Sequence, residues 1–126
     1  MSTRQIGQIT EQIACDFLQA QGCKIREHNF RCQMGEIDLV MDDGDCLVFV
    51  EVRYRGKEDF GSGAATVSQT KQNKIIRAAK FFLQKHAINH TVYCRFDVVS
   101  ITVDKENPKN HKIDWIKDAF QVKSAF

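Results

Sequence analysis

Two apolar, strand-like runs with acids set inside them constrain this chain most: Gly35-Glu36-Ile37-Asp38-Leu39-Val40, a short turn, then Val48-Phe49-Val50-Glu51-Val52-Arg53. Side chains alternate faces along a strand, so Glu36 and Asp38 share one face of the first run, and Glu51 and Arg53 share one face of the second. A carboxylate in such a setting is costly unless a cation or a donor compensates it. Two carboxylates side by side on adjacent strands, with a guanidinium two residues beyond one of them, have the makings of a Mg²⁺ site for cutting phosphodiesters. The same charges also read as edge-strand decoration that discourages aggregation and pairs across a hairpin. The rest of the chain has to separate these readings.

From Arg4 to Ala20 the apolar residues Ile6, Ile9, Ile13, Ala14, Phe17 and Leu18 recur at helical spacing, Gln21-Gly22 supplies a stop, and Glu11 falls near the edge of the stripe. Lys24 to Arg31, Glu36 to Met41 and Cys46 to Tyr54 read as strands of an antiparallel meander. Asp42-Asp43-Gly44-Asp45 forms a hairpin turn in which the glycine supplies positive φ. Leu47-Val48-Phe49-Val50 is apolar on both faces, which places the third strand in the centre of the sheet. Arg55 to Ser68 is a long glycine-containing loop, whose Gly61-Ser62-Gly63 lacks the context of a phosphate-binding motif.

Gln69 to His86 predicts a second helix, with Ile75, Ile76, Ala79, Phe82 and Leu83 on one stripe and Lys71, Lys74, Arg77, Lys80 and Lys85 around the rest. Val92 to Val103 predicts a strand carrying Arg95 and Asp97, the aspartate held by Arg95 or by a backbone amide. Lys105 to Lys112, with Pro108, is a polar loop, and Ile113 to Phe120 reads as a short helix that docks Trp115, Ile116 and Phe120. The order α-β-β-β-α-β-α predicts one α/β domain over residues 1–126, a sheet with helices packed on it.

A net charge of +2 does not by itself mark a nucleic-acid binder, so the placement of the basic residues matters more than their sum. Cys15, Cys23, Cys32, Cys46 and Cys94 show no metal spacing and are odd in number, as expected of reduced thiols in a cytoplasmic protein. No apolar leader and no stretch of membrane-spanning length is present, and no membrane partner is expected. His28, His86, His90 and His111 have neither metal nor triad spacing.

Asp38 and Glu51 suit direct metal ligation from neighbouring strands, and Glu11 reaches the same spot from the first helix, directly or through a water. Glu36 is the fallback ligand. Arg53 neutralises and orients a phosphate but is a poor general base. Lys71, Lys74 and Arg77 on the second helix, with Arg55 and Lys57 from the loop, form a phosphate track, although such a face also reads as solvated helix surface.

With these residues in hand, the chain resembles the YraN family of small bacterial proteins, placed in the PD-(D/E)XK nuclease superfamily and similar to archaeal Holliday-junction resolvases. The resemblance rests on Gly7-x-x-Thr10-Glu11-x-x-Ala14, Asn29-x-Arg31, the two acidic runs, Val67-x-x-x-Lys71, Arg95-Phe96-Asp97-Val98-Val99 and Ala119-Phe120, in the expected order along nearly the whole chain. It implies a restriction-endonuclease-like fold, a mixed central sheet flanked by helices, with Glu11, Asp38 and Glu51 in an acidic Mg²⁺ or Mn²⁺ site. Arg53 departs from the superfamily's usual lysine, and Thr10 stands where the family more often has glycine. The implied function is hydrolysis of phosphodiester bonds in DNA, branched or structured DNA included. The alternative is a catalytically weak or inactive nucleic-acid-binding module of the same fold, and a third reading is a protein-interaction domain that binds no nucleic acid. Junction cutting calls for two active sites, which points to a homodimer.

Overall fold

Ser2 starts helix α1 (Thr3–Ala20) with a reciprocal cap: its Oγ accepts from Gln5 N at 3.1 Å, and Gln5 Oε1 accepts from Ser2 N at 2.8 Å. The pair satisfies backbone donors that have no partner inside the helix. The structure, a computed structural model, describes residues 2–56, 67–89, 91–104, 106–107 and 109–122. After α1 come β1 (Lys24–Cys32), β2 (Gly35–Asp43), β3 (Cys46–Arg55), α2 (Gln69–Lys85), β4 (Cys94–Val103) and β5 (His111–Phe120).

The strands lie in the order β1-β2-β3-β4-β5. β1 to β3 form the expected antiparallel meander. Gly44 at φ +60 makes the tight turn that lets Asp43 pair with Cys46. β3 and β4 run parallel, because the chain returns through α2 before entering β4. β3 is central, and its alternate residues feed two cores. Leu47 and Phe49 pack with Ile75, Ala79 and Phe82 of α2. Val48 and Val50 pack with Ala14, Cys15 and Leu18 of α1. Phe82 is the keystone of the α2 side, edge-on to Phe30 at 5.1 Å and to Phe49 at 5.9 Å. Gly35 fixes where α2 sits: at φ +155 it has no side chain, and a Cβ there would lie 3.2 Å from both Cβ and the carbonyl oxygen of Lys74.

The last element differs from the sequence expectation. Residues 111–120 form a fifth strand antiparallel to β4, not a short helix. Ile113, Ile116 and Phe120 imitate helical spacing because β5 is bulged. Its register shifts between Val98↔Ile116 and Phe96↔Phe120, and Asp118 takes φ +53. Trp115 packs on the α1 side, and Ile116 and Phe120 on the α2 side, so all three do reach the core. The result is the α/β, restriction-endonuclease-like layout, a five-stranded mixed sheet with a helix on each face. All five cysteines are free thiols. No helix among the described residues is long and apolar enough to cross a membrane.

Candidate active site at the β2–β3 fork

Backbone pairing between β2 and β3 runs from Asp43↔Cys46 to Leu39↔Val50. The next position in register sets Asp38 against Glu51, and there a side chain takes over: Asp38 Oδ2 accepts the Val52 N–H at 2.8 Å. β2 also turns over at this point. Ile37 packs in the α2-side core while Leu39, two residues on, packs in the α1-side core. The strict alternation assumed from sequence therefore breaks at Asp38.

The fork opens into a pocket of about 570 Å³ that receives Glu11, Asp38, Glu51, Arg53 and Lys71. α1 supplies one wall through a single stripe. Thr3, Gly7, Thr10 and Glu11 line the pocket, and Ala14, Cys15 and Leu18 continue the same spacing into the core. Thr10 is buried, its hydroxyl donating to the Gly7 carbonyl at 3.0 Å. Glu51 points from β3 toward α2 and is only 5% exposed. It pairs with Lys71, whose Nζ lies 3.4 Å from Oε1, and the Arg53 charge acts on it as well. Lys71 is held in the first turn of α2 by Ser68, whose Oγ accepts the Lys71 N–H at 3.1 Å.

These surroundings leave the acids short of compensation. Burial, then the charge of Asp38, pushes the Glu51 carboxyl up to about 7 despite Lys71. Burial, then the charge of Asp38 and a hydrogen bond with it, pushes Glu11 up to about 7 as well. Asp38 is also raised, by its burial, against the opposing effects of the Val52 amide and Glu11. Hard carboxylate oxygens of this kind are the donor chemistry that Mg²⁺ or Mn²⁺ takes. As the chain stands, the carboxylates are engaged with one another, with the Val52 amide and with Lys71. Among the described residues no group of three or more His, Cys, Asp or Glu side chains is arranged to hold a metal ion.

The other sequence candidates spread around this centre. Arg53 is half-buried and lines the pocket on the Glu51 side. Glu36 sits exposed at the rim, its Oε2 3.3 Å from Arg31 Nε. Lys74 and Arg77 are exposed on α2 as expected of a basic face. Arg55 is 8% exposed, so its side chain does not lie on that face. Lys57, Gly61-Ser62-Gly63 and His90 lie outside the described residues. Lys71, read from sequence as part of the phosphate track and of the Val67-x-x-x-Lys71 stretch, belongs to the acid pocket itself, beside Glu51. That place follows from α2 crossing over β3. Asn29, which also lines the pocket, was not singled out from sequence as a site residue.

Asp97 behaves as the sequence predicts. It is fully buried and accepts from Arg95 Nε at 2.9 Å and Nη2 at 3.0 Å, from Trp115 Nε1 at 2.9 Å and from the Asp118 N–H at 2.9 Å.

Residues 10–101, the span that holds every pocket acid and Lys71, match the uncharacterised protein family UPF0102. The chain belongs to that family. A UPF0102 protein of Nitrosococcus oceani is 44% identical over 121 residues, covering 96% of this chain and 95% of its own length. One from Coxiella burnetii is 46% identical over 120 residues, covering 95% of each. One from Aeromonas hydrophila is 46% identical over 115 residues, covering 90% of this chain and 83% of its own. UPF0102 membership thus spans the fork and both helices that wall it.

Proposed function

We propose that this protein is a Mg²⁺-dependent nuclease that hydrolyses phosphodiester bonds in DNA, with branched or otherwise structured DNA as its substrate class. One observation carries the reading: Glu11, Asp38 and Glu51, drawn from three separate segments, meet Arg53 and Lys71 in a single pocket where two of the acids are pushed to about 7. Such perturbed groups in a cleft are the usual mark of a functional site. The resemblance to the PD-(D/E)XK superfamily supplies the reaction class.

A divalent cation would be held by Asp38 and Glu51 once they turn from their present partners. Glu11 would join through water, because the three acids are not arranged around one point, and the ion would supply charge neutralisation and water activation. The rest falls to the chain. The Val52 amide orients the Asp38 carboxylate. Lys71 compensates Glu51 and brings an ammonium to the pocket wall. Arg53 offers a guanidinium at the pocket wall, a planar fork suited to paired hydrogen bonds with a phosphate. Lys74 and Arg77 extend the positive charge along α2.

Labelled duplex, single-stranded and four-way DNA, incubated with Mg²⁺ or Mn²⁺, tests the reading. Cleavage is expected in the wild type and is lost in Asp38→Ala and Glu51→Ala; cleavage that survives both variants equally rejects the site. The second reading, a binding module without turnover, draws on the Lys71–Glu51 pair, which already gives the most buried pocket acid a cation. Salt-sensitive DNA binding without metal-dependent cutting selects it. Failure to bind DNA or RNA at low salt leaves the protein-interaction reading.

A further inference from the structure

β1 carries a distorted residue facing the pocket. His28↔Leu39 and Phe30↔Ile37 bracket Asn29, so it stands directly across from Asp38. Its φ is +49, a left-handed conformation that L side chains adopt rarely and Asn tolerates better than most. Two irregular positions of the β1–β2 hairpin, Asn29 and the turnover at Asp38, are thus opposite each other at the pocket mouth, away from the bulge between Ile25 and Glu27. Asn29 is exposed, and its amide makes no hydrogen bond with another described residue. The local fold therefore puts an unused donor and acceptor at the rim. Backbone distortion of this kind persists where the surroundings enforce it, and it concentrates at ligand contacts.

Two residues along the same strand, Arg31 is 74% exposed on its side chain and also lines the pocket. Glu36, directly across from it, holds its Nε at 3.3 Å. That pair is open to water and weak, so it positions the guanidinium without consuming it. On the far side of the hairpin turn, Gly35 lies under Lys74 of α2. Arg31 is therefore an intermediate cation between the pocket centre, with Arg53 and Lys71, and the exposed Lys74 and Arg77 of the helix. The buried acids at the floor repel a phosphate, whereas the rim accepts one.

The geometry points to a phosphate subsite formed by Asn29 and Arg31, which grips the backbone phosphate flanking the one held over Asp38 and Glu51. This rests on the nucleic-acid reading above and adds where the strand leaves the pocket: across β1 toward α2. Arg31 supplies charge and paired donors, and the Asn29 amide donates to the same phosphate or to the neighbouring sugar oxygen.

The test is fluorescence anisotropy of labelled single-stranded and four-way DNA over a salt series, in EDTA so that no cutting intervenes. Arg31→Gln is expected to weaken binding about five-fold to ten-fold and to make the salt slope shallower by about 0.7 to 0.9, one phosphate contact. Arg26→Gln controls for net charge: Arg26 is an exposed arginine of the same strand, paired with Asp42 at 2.8 Å and absent from the pocket lining. Its slope stays at the wild-type value. Asn29→Gly relieves the backbone and removes only the amide, so affinity falls about three-fold while thermal stability is kept or raised. Asn29→Ala loses both. Wild-type affinity in either Arg31→Gln or Asn29→Gly, or an equal loss in Arg26→Gln, overturns the subsite while leaving the nucleic-acid reading intact. Absence of DNA binding by the wild type overturns both, and the two failures are told apart by the wild-type curve alone.

Discussion

The sheet contains two neighbourhoods of inward-turned acid, and the chain treats them oppositely. At Asp97 every approach is filled: a guanidinium, an indole N–H and a backbone amide close around a fully buried carboxylate, and Arg95 continues to Asp43 at 2.8 Å. At the fork, Asp38 receives one backbone amide and a hydrogen bond from Glu11, and Glu51 one ammonium at 3.4 Å, while the charge of Asp38 bears on both Glu11 and Glu51. Saturation makes the first cluster a fastener. Shortage makes the second a place where a cation or a proton lowers the free energy.

The largest effect that tests this contrast is on stability. Asp97→Asn is expected to lose about 3 kcal/mol, because the amide cannot accept all four donors that close on the fully buried carboxylate and Arg95 keeps only its pair with Asp43. Asp38→Asn, which keeps an acceptor for Val52, stays within about 1 kcal/mol of wild type. Urea denaturation of both variants is the check, and equal losses would break the comparison.

Next in size is a pH effect in the metal-free protein. Glu11 and Glu51 stand at about 7 when folded against an ordinary value of 4.5, so the native state holds more protons than the unfolded state between those limits. Stability from these groups is therefore full below about pH 4.5, falls as pH rises from there to about 7 and is flat above. We expect a decline of about 2 kcal/mol between pH 4.5 and pH 7 in wild type, carried mainly by the buried Glu51 because solvent screens Glu11, and flattened in Glu51→Gln, from denaturation midpoints across the range.

Lys71→Met sharpens the same point at about 1 kcal/mol. Removing the ammonium raises the Glu51 carboxyl further, so the fall in stability moves to higher pH in the same titration. Arg26→Ala sets the floor. Its pair with Asp42 is exposed, and its loss changes the urea midpoint by less than about 0.5 kcal/mol.

Sequence periodicity carried α1, the meander and α2 because each buries one regular stripe, and it placed β3 centrally from Leu47 to Val50, which are buried on both faces. Asp97 was legible too, since an acid amid Phe96, Val98 and Val99 has to be bonded. Periodicity failed where the backbone is irregular. The β5 bulge rephased Phe120 and made a strand look helical, and at Asp38 the strand β2 changes core between Ile37 and Leu39, although Glu36 and Asp38 still line one pocket. In the pocket, Glu11, Glu51 and Arg53 came from their own local patterns. Lys71 was read only as part of a phosphate track and Asn29 only within the Asn29-x-Arg31 stretch; their places at the pocket depend for the first on the path of a crossover helix and for the second on one backbone angle.

The rung that joins Val52 to Asp38 has a mechanical corollary. Made from a side chain, it is able to let go while Leu39 and Val50, one step below, remain zipped by their backbones. A guest that took Oδ2 would draw on the very oxygen that ties β2 to β3, whereas one that took Oδ1 would leave the rung in place.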